Sequence, residues 1–140
     1  MSLYVCQRLE IARLRPTEMV EAGHVARLAR EMQRDGLQRR PLLVERASMA
    51  ILDGHHRFHA AQELGLARIC AVVIDYDDPR LELSSWSTRA YSRTEVLAAA
   101  ESGVLLPAKS TRHVLTPPLG EAPVALADLE AVTAPSASAR

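Results

Sequence analysis

An apolar stretch that turns through a glycine into a helical pattern most constrains the fold of this chain. Residues 50–52 are apolar and lead into Asp53 and Gly54, and residues 57–64 consist of good helix formers with apolar side chains on one face. A strand that turns through glycine into a helix exposes the first backbone N–H groups of that helix, which have no intrahelical partner. Because the helix dipole adds partial positive charge there, the corner predicts an anion site, for phosphate above all.

Four further patterns place this turn in a small domain. Residues 25–32 repeat apolar side chains at helical spacing, which predicts an amphipathic helix. Residues 41–45 and 49–52 predict two strands of a hairpin, and the β-branched run at 69–74 predicts a strand buried on both faces. With a first strand at 3–9, these elements predict a single α+β (α/β) domain whose mixed sheet is flanked by helices.

Patterns beyond residue 80 are weaker but still interpretable. Residues 81–86 alternate like a strand, with Trp86 expected in the core. A helix is predicted over 95–101, with Thr94 as its N-cap. Residues 124–132 predict a short docking helix, and we expect the last eight or so residues to be disordered.

Chain length and net charge limit the number of domains and the classes of function that this sequence allows. The 140 residues suit one domain, and 17 basic residues balance 17 acidic ones, giving a formal net charge of zero. Proteins that bind nucleic acid usually carry a basic excess, so nucleic acid is an unlikely partner. A local cluster of arginines is either a solvated helix face or a polyanion patch: Arg27, Arg30, Arg34, Arg39 and Arg40.

Cysteine usage and hydropathy bear on the compartment. Cys6 and Cys70 lack a CxxC spacing, and although one disulfide is possible, two reduced thiols fit an intracellular protein better. The sequence has no run of about 18 apolar residues and no charged-then-apolar leader. We therefore expect a cytoplasmic protein without a membrane partner.

The glycine turn also concentrates reactive side chains. Phosphoryl transfer depends on positioning and charge stabilisation, with a base near the attacking hydroxyl. Glycine lets the backbone approach phosphate oxygens, and His55, His56 and Arg57 can donate hydrogen bonds to them. An ordinary surface turn is one alternative, and a zinc site formed by the two histidines with His59 and Asp53 is another.

A second anion-suited segment follows Pro107. It carries two cations, two hydroxyls and an imidazole, at Lys109, Ser110, Thr111, Arg112 and His113. A lysine before a hydroxyl residue also occurs in P-loops, but no glycine-rich stretch precedes this one, which disfavours a Walker-type site. We predict a second phosphate-contacting loop that faces the glycine turn.

At residues 53–57 the Asp-Gly-His-His-Arg motif resembles the ParB/sulfiredoxin superfamily, and within it the free serine kinases, which carry this motif on their phosphate-binding turn. The resemblance covers about residues 3–115, including Leu14-Arg15-Pro16-Thr17-Glu18 and the segment after Pro107. Sulfiredoxin has a reactive cysteine where this chain has His55, so its sulfinate chemistry has no nucleophile here. ParB proteins add DNA-binding helices downstream, where this chain has only about 60 residues that are not basic.

The resemblance implies a kinase that phosphorylates free L-serine to O-phospho-L-serine with Mg²⁺, the donor being ATP or ADP. It implies Glu18 as the catalytic base, where the sequence alone favours a carboxylate that complements a helix dipole. Asp53 is either a magnesium ligand or a second catalytic carboxylate. Nucleotide or phosphate contacts are expected from Gly54, His55, His56, Arg57, Lys109, Ser110, Thr111, Arg112 and His113.

The chain then divides into a kinase domain at residues 1–115 and a C-terminal extension at 116–140. Two alternatives stay open. One is a ParB-like nucleotide-binding regulatory module without kinase activity, which has no need of the Glu18 carboxylate. The other is a nucleic-acid-binding or nuclease domain, which the zero net charge disfavours.

Overall fold

A mixed four-stranded sheet forms the centre of the protein in a computed structural model, which describes residues 4–131. In chain order the strands and helices are β1 (Cys6–Glu10), α1 (Ala22–Asp35), β2 (Leu37–Gln38), β3 (Leu42–Glu45), β4 (Ile51–Asp53), α2 (His55–Glu63), β5 (Arg68–Ile74), β6 (Leu81–Ser84), α3 (Arg93–Ser102), β7 (Arg112–Leu115) and β8 (Val124–Ala125). The central sheet has the order β1-β5-β3-β4, with β3 and β5 parallel and the outer pairs antiparallel. This confirms the predicted α+β domain with a mixed sheet.

The sheet is apolar on both faces because it is covered on both sides. Val44 and Ile69 belong to the core that also holds Phe58 of α2, whereas Leu43 and Val72 belong to the core beside α3. Every residue of β3 is buried. The continuous apolar run of β5 is thereby explained, since alternating side chains enter two different cores.

Helix α2 covers one face of the central sheet, and α1 packs against α2. Val25, Ala29 and Met32 of α1 pack with Ala60 of α2, as the helical spacing predicts. The helix ends at Gly36, whose φ of +68° is the left-handed conformation that glycine adopts without strain. None of the helices within residues 4–131 has the length and apolar character that a membrane crossing requires.

The second face carries the two-stranded sheet β6–β7 and helix α3. The strand predicted over 81–86 ends at Ser84, and Trp86 is 63% exposed, so its expected place in the core was wrong. Thr94 is not the N-cap of α3 either. Ser92 caps it instead, accepting a hydrogen bond from the Glu95 N–H (3.1 Å) and donating its own N–H to the Glu95 carboxylate (3.0 Å).

The segment after residue 116 does not form the single helix predicted over 124–132. Strand β8 pairs with β2, and Leu126–Leu129 forms one turn of 3₁₀ helix that places Leu129 in the core with 0% exposure. The edge of β2 supplies the backbone partners that favour an extended start. Val132 and the tail predicted to be disordered lie outside the described residues, as does Leu3 at the predicted start of the first strand.

Both cysteines are free thiols on neighbouring strands, Cys6 half-buried and Cys70 buried. Burial, with the nearby Cys6 thiol adding to it, raises the pKa of Cys70 to about 11. The Cys70 thiol is therefore protonated and unreactive at neutral pH.

Candidate active site

The turn between β4 and α2 accepts only glycine. Gly54 has a φ of +100°, which other residues rarely adopt. A Cβ atom there would lie 2.3 Å from Leu42 Cδ2 and 2.7 Å from Arg57 Nη1. Because glycine has no side chain, the backbone can adopt this conformation and the Arg57 guanidinium can lie close to it.

The N-terminus of α2 is open. No side chain caps it, and its first turn contains no acidic residue. The first N–H groups of the helix have no intrahelical partner, and together with the dipole they favour an anion. This end of the helix borders a cavity of about 390 Å³, here termed the turn cavity, whose lining includes Glu18, His24, His55, His56, Lys109 and Thr111.

His55 connects this helix to the segment that carries Glu18. Its Nε2 accepts hydrogen bonds from the backbone N–H groups of Thr17 (3.0 Å) and Glu18 (3.3 Å). Burial, followed by the neighbouring histidines, lowers the pKa of His55 to about 3, so the ring is neutral. Since Nε2 accepts, the ring proton resides on Nδ1, which lies 3.8 Å from Glu18 Oε2.

Glu18 is held above the turn by the loop that precedes β7. Its Oε1 accepts hydrogen bonds from the Thr111 N–H (2.7 Å), the Thr111 hydroxyl (2.8 Å) and the Ser110 hydroxyl (3.1 Å). No side chain or backbone group within residues 4–131 donates a hydrogen bond to Oε2. Ser110, predicted to contact phosphate, is buried and its hydroxyl instead lies against Glu18 and the Pro107 carbonyl.

Backbone pairing brings these two distant segments together. The Met19 N–H donates to the Leu106 carbonyl, and the Leu106 N–H donates to the Thr17 carbonyl, both at 2.8 Å. The loop after Pro107 therefore lies beside Glu18, and Lys109 and Thr111 border the turn cavity with Gly54. The predicted facing of the two anion-suited segments is confirmed as geometry.

His24 and His56 form another part of the wall of the turn cavity. The rings of His24 and His56 stack with centroids 4.1 Å apart, and His56 Nε2 accepts from the Glu21 N–H at 3.1 Å. Burial, then the nearby His24, lowers the pKa of His56. Lys109 Nζ lies 3.4 Å from Glu21 Oε1. Sequence analysis did not include His24 among the site residues, yet it lines the turn cavity.

Arg57 and Asp53 flank the glycine. Arg57 is half-buried and donates from Nη1 to the Pro41 carbonyl at 3.1 Å. Burial lowers its pKa, and the nearby Asp53 carboxylate opposes that shift. Asp53 itself is exposed at the end of β4 and makes no side-chain hydrogen bond or ion pair within residues 4–131. Its carboxylate is therefore available to a ligand.

A second cavity of about 330 Å³, here termed the Trp86 cavity, adjoins the first. The two share the lining residues Arg40, Asp53, Arg57, Trp86 and Thr111. Sequence analysis considered Arg40 only as part of an arginine cluster, and it missed Trp86 as a site residue because Trp86 lies in no motif. Only the tertiary fold brings them beside the turn.

Arg112 and His113 border the Trp86 cavity and not the turn cavity. The Arg112 guanidinium lies 4.4 Å from the centroid of the Trp86 ring. His113 Nε2 lies 2.7 Å from the Tyr76 hydroxyl, and burial lowers the pKa of His113 to about 4. Two side chains predicted to contact phosphate are thus engaged by aromatic neighbours.

Comparison with known proteins identifies the domain type. Residues 5–84, more than half of the chain, match the model of the ParB N-terminal domain family. A ParB-like protein of Sulfolobus acidocaldarius is 37% identical over 87 residues, 62% of this chain and 43% of the relative. An ATP-dependent L-serine kinase of Staphylothermus marinus is 29% identical over 82 residues, 56% of this chain and 32% of the relative. The chain thus matches less than half the length of either curated relative.

A solved structure extends the likeness beyond the matched region. A free serine kinase in complex with AMP superposes with a TM-score of 0.80 and 15% identity, covering 90% of this chain and 93% of the other. At that identity the likeness shows a shared fold. The match of more than half of the chain to the family model establishes that this chain belongs to the ParB N-terminal domain family.

Proposed function

We propose that this protein is a nucleotide-dependent kinase that phosphorylates free L-serine to O-phospho-L-serine. The placement of Glu18 carries the proposal. Thr111 and Ser110 hold one of its carboxylate oxygens, while the other has no hydrogen-bond partner within residues 4–131. The carboxylate lines the same cavity as the open N-terminus of α2. A base and an anion site side by side are what phosphoryl transfer to a hydroxyl requires.

Two comparisons support this activity. One curated relative is an ATP-dependent L-serine kinase, and one protein of the same fold is a free serine kinase in complex with AMP. The Asp-Gly-His-His-Arg motif resembles that of the free serine kinases, which favours serine as the acceptor. The donor is ATP or ADP, since nothing in the turn distinguishes the two.

The proposed reaction assigns a task to each side of the cavity. The donor phosphates lie over the first N–H groups of α2, with Arg57 and Lys109 as the nearby cations. The serine hydroxyl attacks the terminal phosphorus, an O–P bond forms, and the bond from that phosphorus to the bridging oxygen breaks. The hydroxyl proton passes to Glu18, and the nucleotide leaves one phosphate shorter.

Asp53 fits the role of a magnesium ligand. Mg²⁺ usually binds one or two protein carboxylates and completes its shell with phosphate oxygens and water. Asp53 is an exposed carboxylate that lines both cavities. Within residues 4–131 no cluster of three metal-binding side chains occurs, which suits a site completed by the nucleotide. When bound, Mg²⁺ would neutralise phosphate charge.

Glu18→Gln tests the proposal. We expect it to keep nucleotide affinity, measured by calorimetry, and to lower phosphoserine formation from serine, Mg²⁺ and ATP or ADP by roughly 10²–10⁴-fold, the usual worth of a general base. Glu45→Gln is the matched control. Glu45 is also a buried glutamate that accepts hydrogen bonds from two backbone N–H groups and a serine hydroxyl, but it borders neither cavity.

Two outcomes would contradict parts of the proposal. Phosphoserine formed by Glu18→Gln at near the parent rate would assign the base elsewhere, with Asp53 next in line. A parent protein that binds nucleotide but forms no phosphoserine with ATP or ADP would favour the regulatory module.

A further inference from the structure

Trp86 is unusual among the aromatic residues of this chain. It is the single tryptophan of the sequence, and its side chain is 63% exposed at a point where alternation predicts burial. It borders both cavities, so its exposed indole faces the space that the phosphate turn also faces. An indole left in water beside a binding cavity loses the free energy that its burial would contribute.

The position of Trp86 is defined by contacts on both sides. The Ser85 hydroxyl lies 2.9 Å from the Ser110 carbonyl oxygen, which joins this segment to the loop that holds Glu18. The Arg112 guanidinium covers the indole ring at 4.4 Å from its centroid. Residue 84 pairs with Arg112 in the β6–β7 register, so the sheet itself brings the two side chains together. The indole is held in place, yet most of its surface stays free.

We infer that the Trp86–Arg112 pair is the platform on which the base of the nucleotide stacks. The inference rests on the proposed function, because it takes the phosphates to lie at the start of α2. A purine is a flat apolar ring with polar edges, and an exposed indole beside a phosphate site matches it in shape and chemistry. A guanidinium stacked on the indole adds a favourable cation–π contact and limits the motion of the ring. The Trp86 cavity then receives the base, and the turn cavity receives the phosphates.

Paired ligands that differ only in the base test this platform. AMP and ribose 5-phosphate share the sugar and the phosphate, and calorimetry with the full chain gives both affinities. We expect Trp86→Ala to weaken AMP binding about 10- to 100-fold and to leave ribose 5-phosphate binding unchanged. Because Trp86 is the single tryptophan, its fluorescence in the parent protein should change with AMP and not with ribose 5-phosphate.

Val5→Ala is the matched control for removal of an exposed apolar side chain, since Val5 is 76% exposed and borders neither cavity. Equal AMP affinity of Trp86→Ala and the parent would overturn the platform while leaving the kinase proposal intact. If AMP binding depends on Trp86 but the parent protein forms no phosphoserine, the result would support the platform and contradict the proposed kinase activity. A parent protein that binds no nucleotide would overturn both.

Arg112→Gln separates the two tasks open to this arginine. If Arg112 acts only as the partner of the indole, Arg112→Gln should weaken the binding of AMP and leave that of ribose 5-phosphate unchanged. The loss of AMP affinity should be smaller than in Trp86→Ala. An equal loss for both ligands would show that Arg112 contacts phosphate directly and would remove it from the platform.

Discussion

Helices α2 and α3 begin in opposite ways. At the start of α3, Ser92 and Glu95 form a complete capping box, in which each side chain accepts a hydrogen bond from the backbone N–H of the other residue. The start of α2 has Gly54 in the capping position and no side-chain hydrogen bond. Helix α3 covers the sheet, and its N-terminus is closed by its own side chains. Helix α2 leaves its N-terminus available to a ligand, and that end borders a cavity.

Tertiary contacts compensate for the missing cap of α2. Phe58 is 2% exposed, and Ala60 and Ala61 are 0% exposed, so the helix is held by its buried face. The first side chain of the helix, His55, accepts hydrogen bonds from the segment above it. The side chain that follows the cap position thus positions Glu18 instead of closing the helix.

Gly54→Ala should break the α2 start most severely. The new methyl group meets Leu42 Cδ2 and Arg57 Nη1 at a φ of +100°. Strain and overpacking together should lower the free energy of unfolding by roughly 2–5 kcal/mol. Displacing Arg57 and the turn should also weaken nucleotide binding roughly 10- to 100-fold. Chemical denaturation and calorimetry measure the two effects.

Gly103→Ala is the control from α3. Gly103 ends α3 with a φ of +76°, and a Cβ atom there would have no neighbour within 4 Å. The cost should be the backbone strain alone, roughly 1–2 kcal/mol, with nucleotide affinity unchanged. Equal affinity losses in the two variants would show that the effect of Gly54→Ala is global destabilisation and not loss of the turn.

The sequence predicted the α2 turn better than the start of α3. The Gly54 turn is a local signal, since an apolar stretch, a glycine and a helical pattern are contiguous. At α3 both Ser92 and Thr94 are good caps by residue type, and the Glu95 partner decides between them. Spacing to a glutamate three residues later was the available signal, and it points to Ser92.

The rest of the site was predicted only in part because it depends on packing. The family resemblance supported the prediction that the loop after Pro107 faces the glycine turn, which no local pattern contains. The sequence could not show that Ser110 contacts Glu18, or that His113 contacts Tyr76. The alternating pattern predicted that Trp86 lies in a strand with its side chain buried, whereas β6 ends at Ser84 and Trp86 is exposed. Long-range contacts set each of these outcomes.

The role of His55 at the α2 start predicts a pH dependence of stability. The folded chain holds His55 neutral with a pKa of about 3, against 6.5 when unfolded. Between these pKa values the unfolded chain binds a proton that the folded chain does not. The contribution of neutral His55 to the free energy of unfolding is therefore fully present above pH 6.5 and is lost as the pH falls. The slope should be up to about 1.4 kcal/mol per pH unit for His55. His113, with a folded pKa of about 4, should add a similar slope above that pH.

Unfolding by denaturant at pH 4.5–7.5 measures this slope. Below pH 6.5, His55→Gln should lower the slope of the unfolding free energy against pH by the equivalent of about one bound proton, and His113→Gln should lower it by a similar amount. Above pH 7 the curves of both variants should run parallel to that of the parent protein. An unchanged slope in His55→Gln would mean that the folded protein accepts the proton, which conflicts with Nε2 as the acceptor for Thr17 and Glu18.

Ser92→Ala should give the smallest effect and sharpen the contrast between the two helices. It removes the hydroxyl that accepts from the Glu95 N–H at 3.1 Å, and the capping box loses one of its two hydrogen bonds. Loss of a serine N-cap costs about 1 kcal/mol, so denaturation should show a loss of that size. Nucleotide affinity and phosphoserine formation should stay at parent values, because Ser92 borders neither cavity. A fall in nucleotide affinity in this variant would show that the closed start of α3 supports the site, and the division between a closed structural helix and an open binding helix would not hold.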